Sequence, residues 1–303
     1  LSLYLLMALG LKGGFALSQS GLTAAVGISL AAAVLLAIVI PLMGYTVLRR
    51  FVSGFDAAAV AATYGSVSAV TFVTAVQTLE NQGVPYGGHM AAAMALMESP
   101  AIILAVVLAN SLRQKQASGV VLQAGGGAAL GGSATPHGAS VGKILHESFT
   151  DGAQLLLLGA MVIGLITGEA GKEAMAPFSV DLFKGMLAFF LLDMGLMAAR
   201  NLPQVKGQSP VLIAYAVIGP LVHAGLALGL AMLLKLSPGD GALLMVLAAS
   251  ASYIAVPAVL RTALPEAKPA LYFGLSLGLT FPLNIVLGIP VYLTVAQALL
   301  GST

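Results

Sequence analysis

Gly65-Ser66-Val67-Ser68-Ala69-Val70-Thr71 and Ala249-Ser250-Ala251-Ser252-Tyr253-Ile254 decide the reading of this chain. Ser66 and Ser250 are 184 residues apart, as are Ser68 and Ser252, and Asp56 and Asp240 upstream keep the same offset. A second matched pair follows each stretch: Glu98-Ser99-Pro100-Ala101-Ile102 in the first half and Thr280-Phe281-Pro282-Leu283-Asn284 in the second, with Pro100 and Pro282 182 residues apart. Both stretches are small and hydroxylated inside apolar surroundings. In hydrocarbon an unpaired backbone polar group is costly, so serine, glycine and proline clusters in membrane helices are tolerated mainly where a helix breaks beside a cavity. Breaks at corresponding positions of two halves point to a transport site.

The surroundings are those of a membrane protein. Apolar residues make up 59% of the 303 and charged ones 8%, against about 25% charged in soluble domains. Nine helical spans are expected, at 1–18, 22–48, 54–79, 84–112, 152–168, 181–200, 209–235, 240–263 and 269–299. A β-barrel would instead show short alternating segments. The net charge of +2 gives no polyanion-binding surface, and the absence of cysteine excludes disulfides and thiolate metal sites. The four histidines, at 89, 137, 146 and 223, lack the spacing of a helical metal site.

Three regions are expected: an N-terminal repeat over 1–113, a Gly/Ser-rich cytoplasmic linker over 114–150, and a C-terminal repeat over 151–303. Connections on one side hold Arg49, Arg50, Arg113, Lys115, Lys143, Arg200, Lys206, Arg261 and Lys268. The other side holds Lys12, Lys172, Lys184 and Lys235. The first set marks the cytoplasmic side, which leaves the C-terminus exterior and runs the two serine-bearing spans in opposite directions, as an inverted-topology repeat requires. Leu9-Gly10-Leu11-Lys12 matches Met194-Gly195-Leu196-Met197. The span 152–168 has no partner in the first half. The expected whole is therefore an all-α, five-plus-five bundle whose first span is missing from this sequence.

A break at each serine stretch would turn the N-terminus of a half-helix, with its free N–H groups and positive dipole end, toward the membrane midplane, where a small anion could sit. Ser66, Ser68, Thr71, Ser250 and Ser252 would add hydroxyls to that anion site. Glu98 lies mid-span, where an ionised carboxylate costs on the order of 2.5–3.5 kcal/mol unless a cation offsets it. Glu98, Ser99, Thr280 and Asn284 are the expected sodium ligands. One sodium moving with one monovalent anion would remove the voltage term of ~2.3 kcal/mol per charge per 100 mV. Against this, serines in apolar helices often only pack or bond a carbonyl four residues back. His223 reads as an interhelical donor, and Asp193 as a cap, an ion pair or a functional group. The spans 54–112 and 240–299 are expected to move against a scaffold of the others.

The residues resemble the sodium-dependent bicarbonate transporters of the SbtA type and their wider relatives. The resemblance rests on Leu9-Gly10-Leu11-Lys12-Gly13-Gly14, Gly65-Ser66-Val67-Ser68 leading into Thr78-Leu79-Glu80, Pro100-Ala101-Ile102 ending in Ala109-Asn110, Pro220-Leu221-Val222-His223, Ala248-Ala249-Ser250-Ala251-Ser252 leading through Pro257 to Leu260-Arg261, and Pro282 with Gly288-Ile289-Pro290. It implies ten helices with two discontinuous ones crossing at mid-membrane, a homotrimer in a bacterial inner membrane, and sodium symport of bicarbonate by alternating access, without catalysis and without an organic cofactor. The cyanobacterial members carry aspartate at the position of Tyr253, serine at Ala255 and glycine at Val256, and an apolar residue at Asp193. They also carry a longer charged loop where this chain has its linker, which separates it from their regulation by a PII-like protein. Transport of another small carboxylate or oxyanion, a cation/proton antiporter using Glu98, a serine protease built on Ser66 with His89 or His223, and a nontransporting sensor are the competing readings.

Overall fold

The protein, seen here in a computed structural model, is described over residues 1–21, 23–123 and 152–301, and the described residues contain no strand. The helices are α1 (Ser2–Ser20), α2 (Ala24–Leu48), α3 (Gly54–Gly65), α4 (Ala69–Gln82), α5 (His89–Gln123), α6 (Gly152–Ala176), α7 (Leu182–Asn201), α8 (Pro210–Leu233), α9 (Pro238–Ala249), α10 (Ala255–Ala263) and α11 (Pro269–Leu300). Helix α11 passes through π turns at Ser276–Thr280 and Asn284–Gly288, around Pro282 and Pro290. Proline cannot donate to the helical ladder and displaces it locally. Residues 124–150 of the expected linker lie outside the described residues.

Six segments are long and apolar enough to cross a membrane, and the chain is a multi-pass membrane protein. The expected spans 152–168 and 181–200 fall within a single segment, Gly152–Val205, because Gly168 is the only residue of α6 to leave helical geometry (φ 54, ψ −136) and the π turn Pro177–Asp181 carries α6 into α7.

Asp56 and Asp240 explain their matched positions. Each stands three residues after a serine N-cap, Ser53 or Ser237, whose hydroxyl accepts its backbone N–H at 3.1 Å. Each then reaches into the other half of the chain: Asp56 Oδ1 accepts from the Lys268 N–H at 2.9 Å, ahead of α11, and Asp240 Oδ1 accepts from the Gly87 N–H at 2.6 Å, ahead of α5.

These contacts define two ends of the bundle. At one, Arg113 grips Glu266 with two hydrogen bonds of 2.7 Å and donates to the Ala263 carbonyl at 3.0 Å. That guanidinium holds the Glu266 carboxyl below the usual carboxylate range. At the other, Lys12 pairs with Glu80 at 3.0 Å, Tyr86 donates to Glu80 at 3.0 Å, and Gln297 donates to Gln82 at 3.0 Å. Burial, followed by the Glu80 charge, pushes the Tyr86 phenol above its ordinary value. Helix α3 therefore starts at the Arg113 end and α9 at the Glu80 end.

Packing divides the helices differently from the sequence expectation. Helix α1 lies along α6 so closely that a Cβ on Gly14 would stand 2.1 Å from the Met161 carbonyl oxygen, and α7 adjoins this pair. Helices α2 and α8 pack instead along α3, α5 and α9, so spans 22–48 and 209–235 belong with the helices bearing the serine stretches and not with a separate scaffold. Small residues make the difference: α3 is alanine-rich, and a Cβ on Gly65 would stand 2.5 Å from Pro41 Cγ of α2.

Asp56→Ala and Asp240→Ala should each lower stability by about 1–3 kcal/mol by orphaning a backbone N–H. The corresponding Asn variants, which keep an acceptor, should lose less. Thermal unfolding of the purified protein reads both.

Candidate anion and cation site

Helix α3 ends as Ser66 turns extended (φ −97, ψ −175), and α9 ends at Ser250 in the same way (φ −77, ψ 163). Helical geometry resumes at Ala69 and Ala255. The two breaks satisfy one another. The Ser68 N–H donates to Ser250 Oγ at 3.0 Å, and the Ser252 N–H donates to the Thr63 carbonyl at 2.8 Å. Ser68 and Ser252 then cap the half-helices that begin after them: Ser68 Oγ accepts from the Thr71 N–H (3.2 Å) and hydroxyl (3.0 Å), and Ser252 Oγ accepts from the Val256 N–H (3.2 Å). With its lone pairs used by Thr71, Ser68 turns its proton to the Tyr253 hydroxyl at 3.3 Å, and the Tyr253 proton remains available to a ligand.

A cavity of about 470 Å³ lies against this crossing. Its polar lining includes Ser68, Ser252, Tyr253, Glu98 and Gln154, with Ala69 and Val70 of the first turn of α4 beside them. The rest is largely apolar, with Leu6, Leu157 and Phe190 contributed by the α1–α6–α7 body. The lining continues to Thr262, Ser2 and Ala153, so the cavity extends toward the Arg113 end. At the Glu80 end the two bodies close on one another: a Cβ on Gly88 would stand 2.2 Å from the Gly13 carbonyl oxygen, and Lys12 lies 4.2 Å over the Phe183 ring while bonded to Glu80.

Of the five residues expected at an anion site, Ser68 and Ser252 line the cavity; Ser250 and Thr71 stand behind them as their hydrogen-bond partners, and Ser66 Oγ is buried without a partner. The four expected sodium ligands separate. Glu98 lines the cavity and accepts from the Gln154 amide. Ser99 Oγ is buried without a partner. Thr280 Oγ1 donates to the Ala216 carbonyl at 2.8 Å and lies 2.6 Å from the Tyr64 hydroxyl. Asn284 ties the Ala249 carbonyl at the end of α9 (2.8 Å) to the Tyr292 hydroxyl (3.1 Å). Thr280 and Asn284 thus hold helix ends in place, outside the cavity lining.

His223 is buried with Nδ1 unpartnered and its ring 6.2 Å from that of Tyr215, and Asp193 is exposed on α7. Neither His223 nor His89 is bonded to Ser66, so the geometry assembles no nucleophile and base. Sequence reasoning did not place Gln154, the Phe190 wall or the bridging role of Tyr253. Gln154 gave one signal, as an amide in the first turn of an otherwise apolar span.

A family profile described as the Na+-dependent bicarbonate transporter superfamily matches residues 1–297, which include both serine stretches and every residue of the crossing. The chain belongs to this superfamily. A search of the curated proteins found no match. Membership in the Na+-dependent bicarbonate transporter superfamily makes the chain a transporter-family protein, and the crossing with its cavity is the place in the fold where polar groups from both halves meet.

Ser250→Ala should destabilise the protein by about 1–3 kcal/mol, because the buried Ser68 N–H loses its acceptor. Tyr253→Phe, which removes a long bond, should leave the unfolding temperature nearly unchanged while weakening anion binding. Unfolding curves paired with ligand titrations separate the two.

Proposed function

We propose that the protein is a sodium-coupled symporter that takes up a small carboxylate-type anion by alternating access, bicarbonate being the anion its superfamily's description names. The observation that carries this reading is the meeting of Ser68 and Ser252, from stretches 184 residues apart, on one cavity. The two interrupted spans are read as the discontinuous helices of an inverted repeat. The exchanged bonds of Asp56 and Asp240 and the opposite starting ends of α3 and α9 support this.

In this mechanism the anion's oxygens accept from the Tyr253 hydroxyl and from the first turn of α4, whose dipole end is positive. Sodium sits at Glu98, the one proposed cation ligand on the cavity lining. The Gln154 amide orients the Glu98 carboxylate by donating to it. The Arg113 end faces the cytoplasm, in line with the excess of basic residues there, so the present arrangement is inward-facing. Transport requires the Lys12–Glu80 seal to part as the cavity closes. Assembly as a homotrimer belongs to the same reading, supported by Asp193, a carboxylate exposed on α7 among Phe189, Leu192 and Leu196, where lipid alone would be a costly neighbour.

Uptake of labelled bicarbonate into proteoliposomes tests the reading. It should depend on a sodium gradient and fall about tenfold or more in Ser68→Ala, Ser252→Ala and Glu98→Gln, as expected for losing hydrogen bonds to charged groups at about 1.5–3 kcal/mol each. Uptake indifferent to sodium, or to all three variants, would refute it. The absence of cysteine permits a test of the seal. Ala16→Cys with Gly88→Cys, whose Cβ atoms would start 2.8 Å apart, should form a disulfide after a small adjustment and stop uptake until reduced.

A further inference from the structure

We infer that the substrate of this site is an organic monocarboxylate with a short apolar chain. The inference rests on the transport reading above and names the class of anion within it. The cavity's polar groups gather at the crossing, where Ser68, Ser252 and Tyr253 meet the first turn of α4. The remainder is apolar, with Leu6, Leu157 and Phe190 on one body and Val73, Met94 and Ile254 on the other. At about 470 Å³ the space falls in the roughly 300–1,000 Å³ range of pockets for organic ligands. It far exceeds what a four-atom oxyanion fills.

An amphipathic acid matches this division. Its carboxylate meets the Tyr253 hydroxyl and the N–H groups of α4, as bicarbonate would. Its chain replaces water against walls that offer water no hydrogen bonds. The chain also touches both bodies at once, since Phe190 and Leu157 face the crossing from α7 and α6. A small inorganic anion held at the crossing leaves that wall wet and uncovered. The acidic Glu98 on the same cavity is compatible with a monocarboxylate when sodium accompanies it, whereas a dicarboxylate would bring a second negative charge to a site with one carboxylate and no basic residue in its lining.

The test is the affinity of the purified protein for formate, acetate, propionate, butyrate and bicarbonate, measured in sodium and in choline as the shift of its thermal unfolding. Affinity in sodium should rise about fourfold per methylene from acetate to butyrate, and Ile254→Ser and Leu6→Ser should each flatten that slope. The two variants come from different bodies, and Ile254 is 57% exposed, so its substitution leaves the core intact. A flat series with bicarbonate bound most tightly would overturn the inference and leave the transport reading standing. A lack of sodium-dependent binding for every anion, bicarbonate included, would overturn both.

Discussion

Two hydrogen bonds at the centre of the bundle govern the rest of the structure. Interrupting a helix in hydrocarbon leaves N–H and C=O groups that water cannot serve. Here the Ser68 N–H finds Ser250 Oγ, and the Ser252 N–H finds the Thr63 carbonyl. Neither interruption could satisfy its own groups in this way, so the halves of the chain are obliged to meet. That obligation explains why the residues must be small: alanine and glycine let α3 and α9 reach the same depth, and serine supplies an oxygen without bulk. Once the breaks are paired, the half-helices α4 and α10 begin beside each other, and a polar patch exists where a continuous helix would present none.

The same exchange between halves recurs at both ends. Asp56 and Asp240 each finish a serine-capped first turn and then hold the chain entering the long helix of the other half. The crossing is thereby anchored from both sides, while the α1–α6–α7 body is free of these ties. Its own rigidity comes from backbone contact along glycines, and it meets the other helices closely at the Glu80 end and across a cavity at the Arg113 end. An asymmetry of closure around a symmetric pair of breaks is what a transporter caught on one side of its cycle presents. The charged Lys12–Glu80 pair suits a seal, since a part-buried ion pair is held where opening it readmits water to both partners.

Much of this was legible from residue types and spacing. The membrane class followed from composition, and the matched serines from their common offset. Asp56 and Asp240 were visible as a matched pair, but their partners, Lys268 and Gly87, are backbone groups that no side-chain pattern reveals. Thr280 and Asn284 looked like cation ligands because oxygen-bearing side chains near a proline in a membrane helix serve either ions or helix ends, and only their neighbours, Ala216 and Ala249, distinguish the two. Tyr253 stood out as a departure from the resembling family, yet its bond to Ser68 depends on how two breaks cross. Gln154 and Phe190 reached the site through the packing of α6 and α7, a long-range outcome with no local signature. The membership of α2 and α8 in the larger body was hidden for the same reason.

The most direct test of the crossing as a transport site uses Ile254→Cys, an exposed position on the cavity in a chain with no cysteine of its own. Labelling by a membrane-impermeant maleimide should occur from the face bearing Arg113, and sodium together with a carboxylate-type anion should slow it, with neither sufficient alone. Labelling equally fast from both faces, or unaffected by sodium and anion together, would contradict the account.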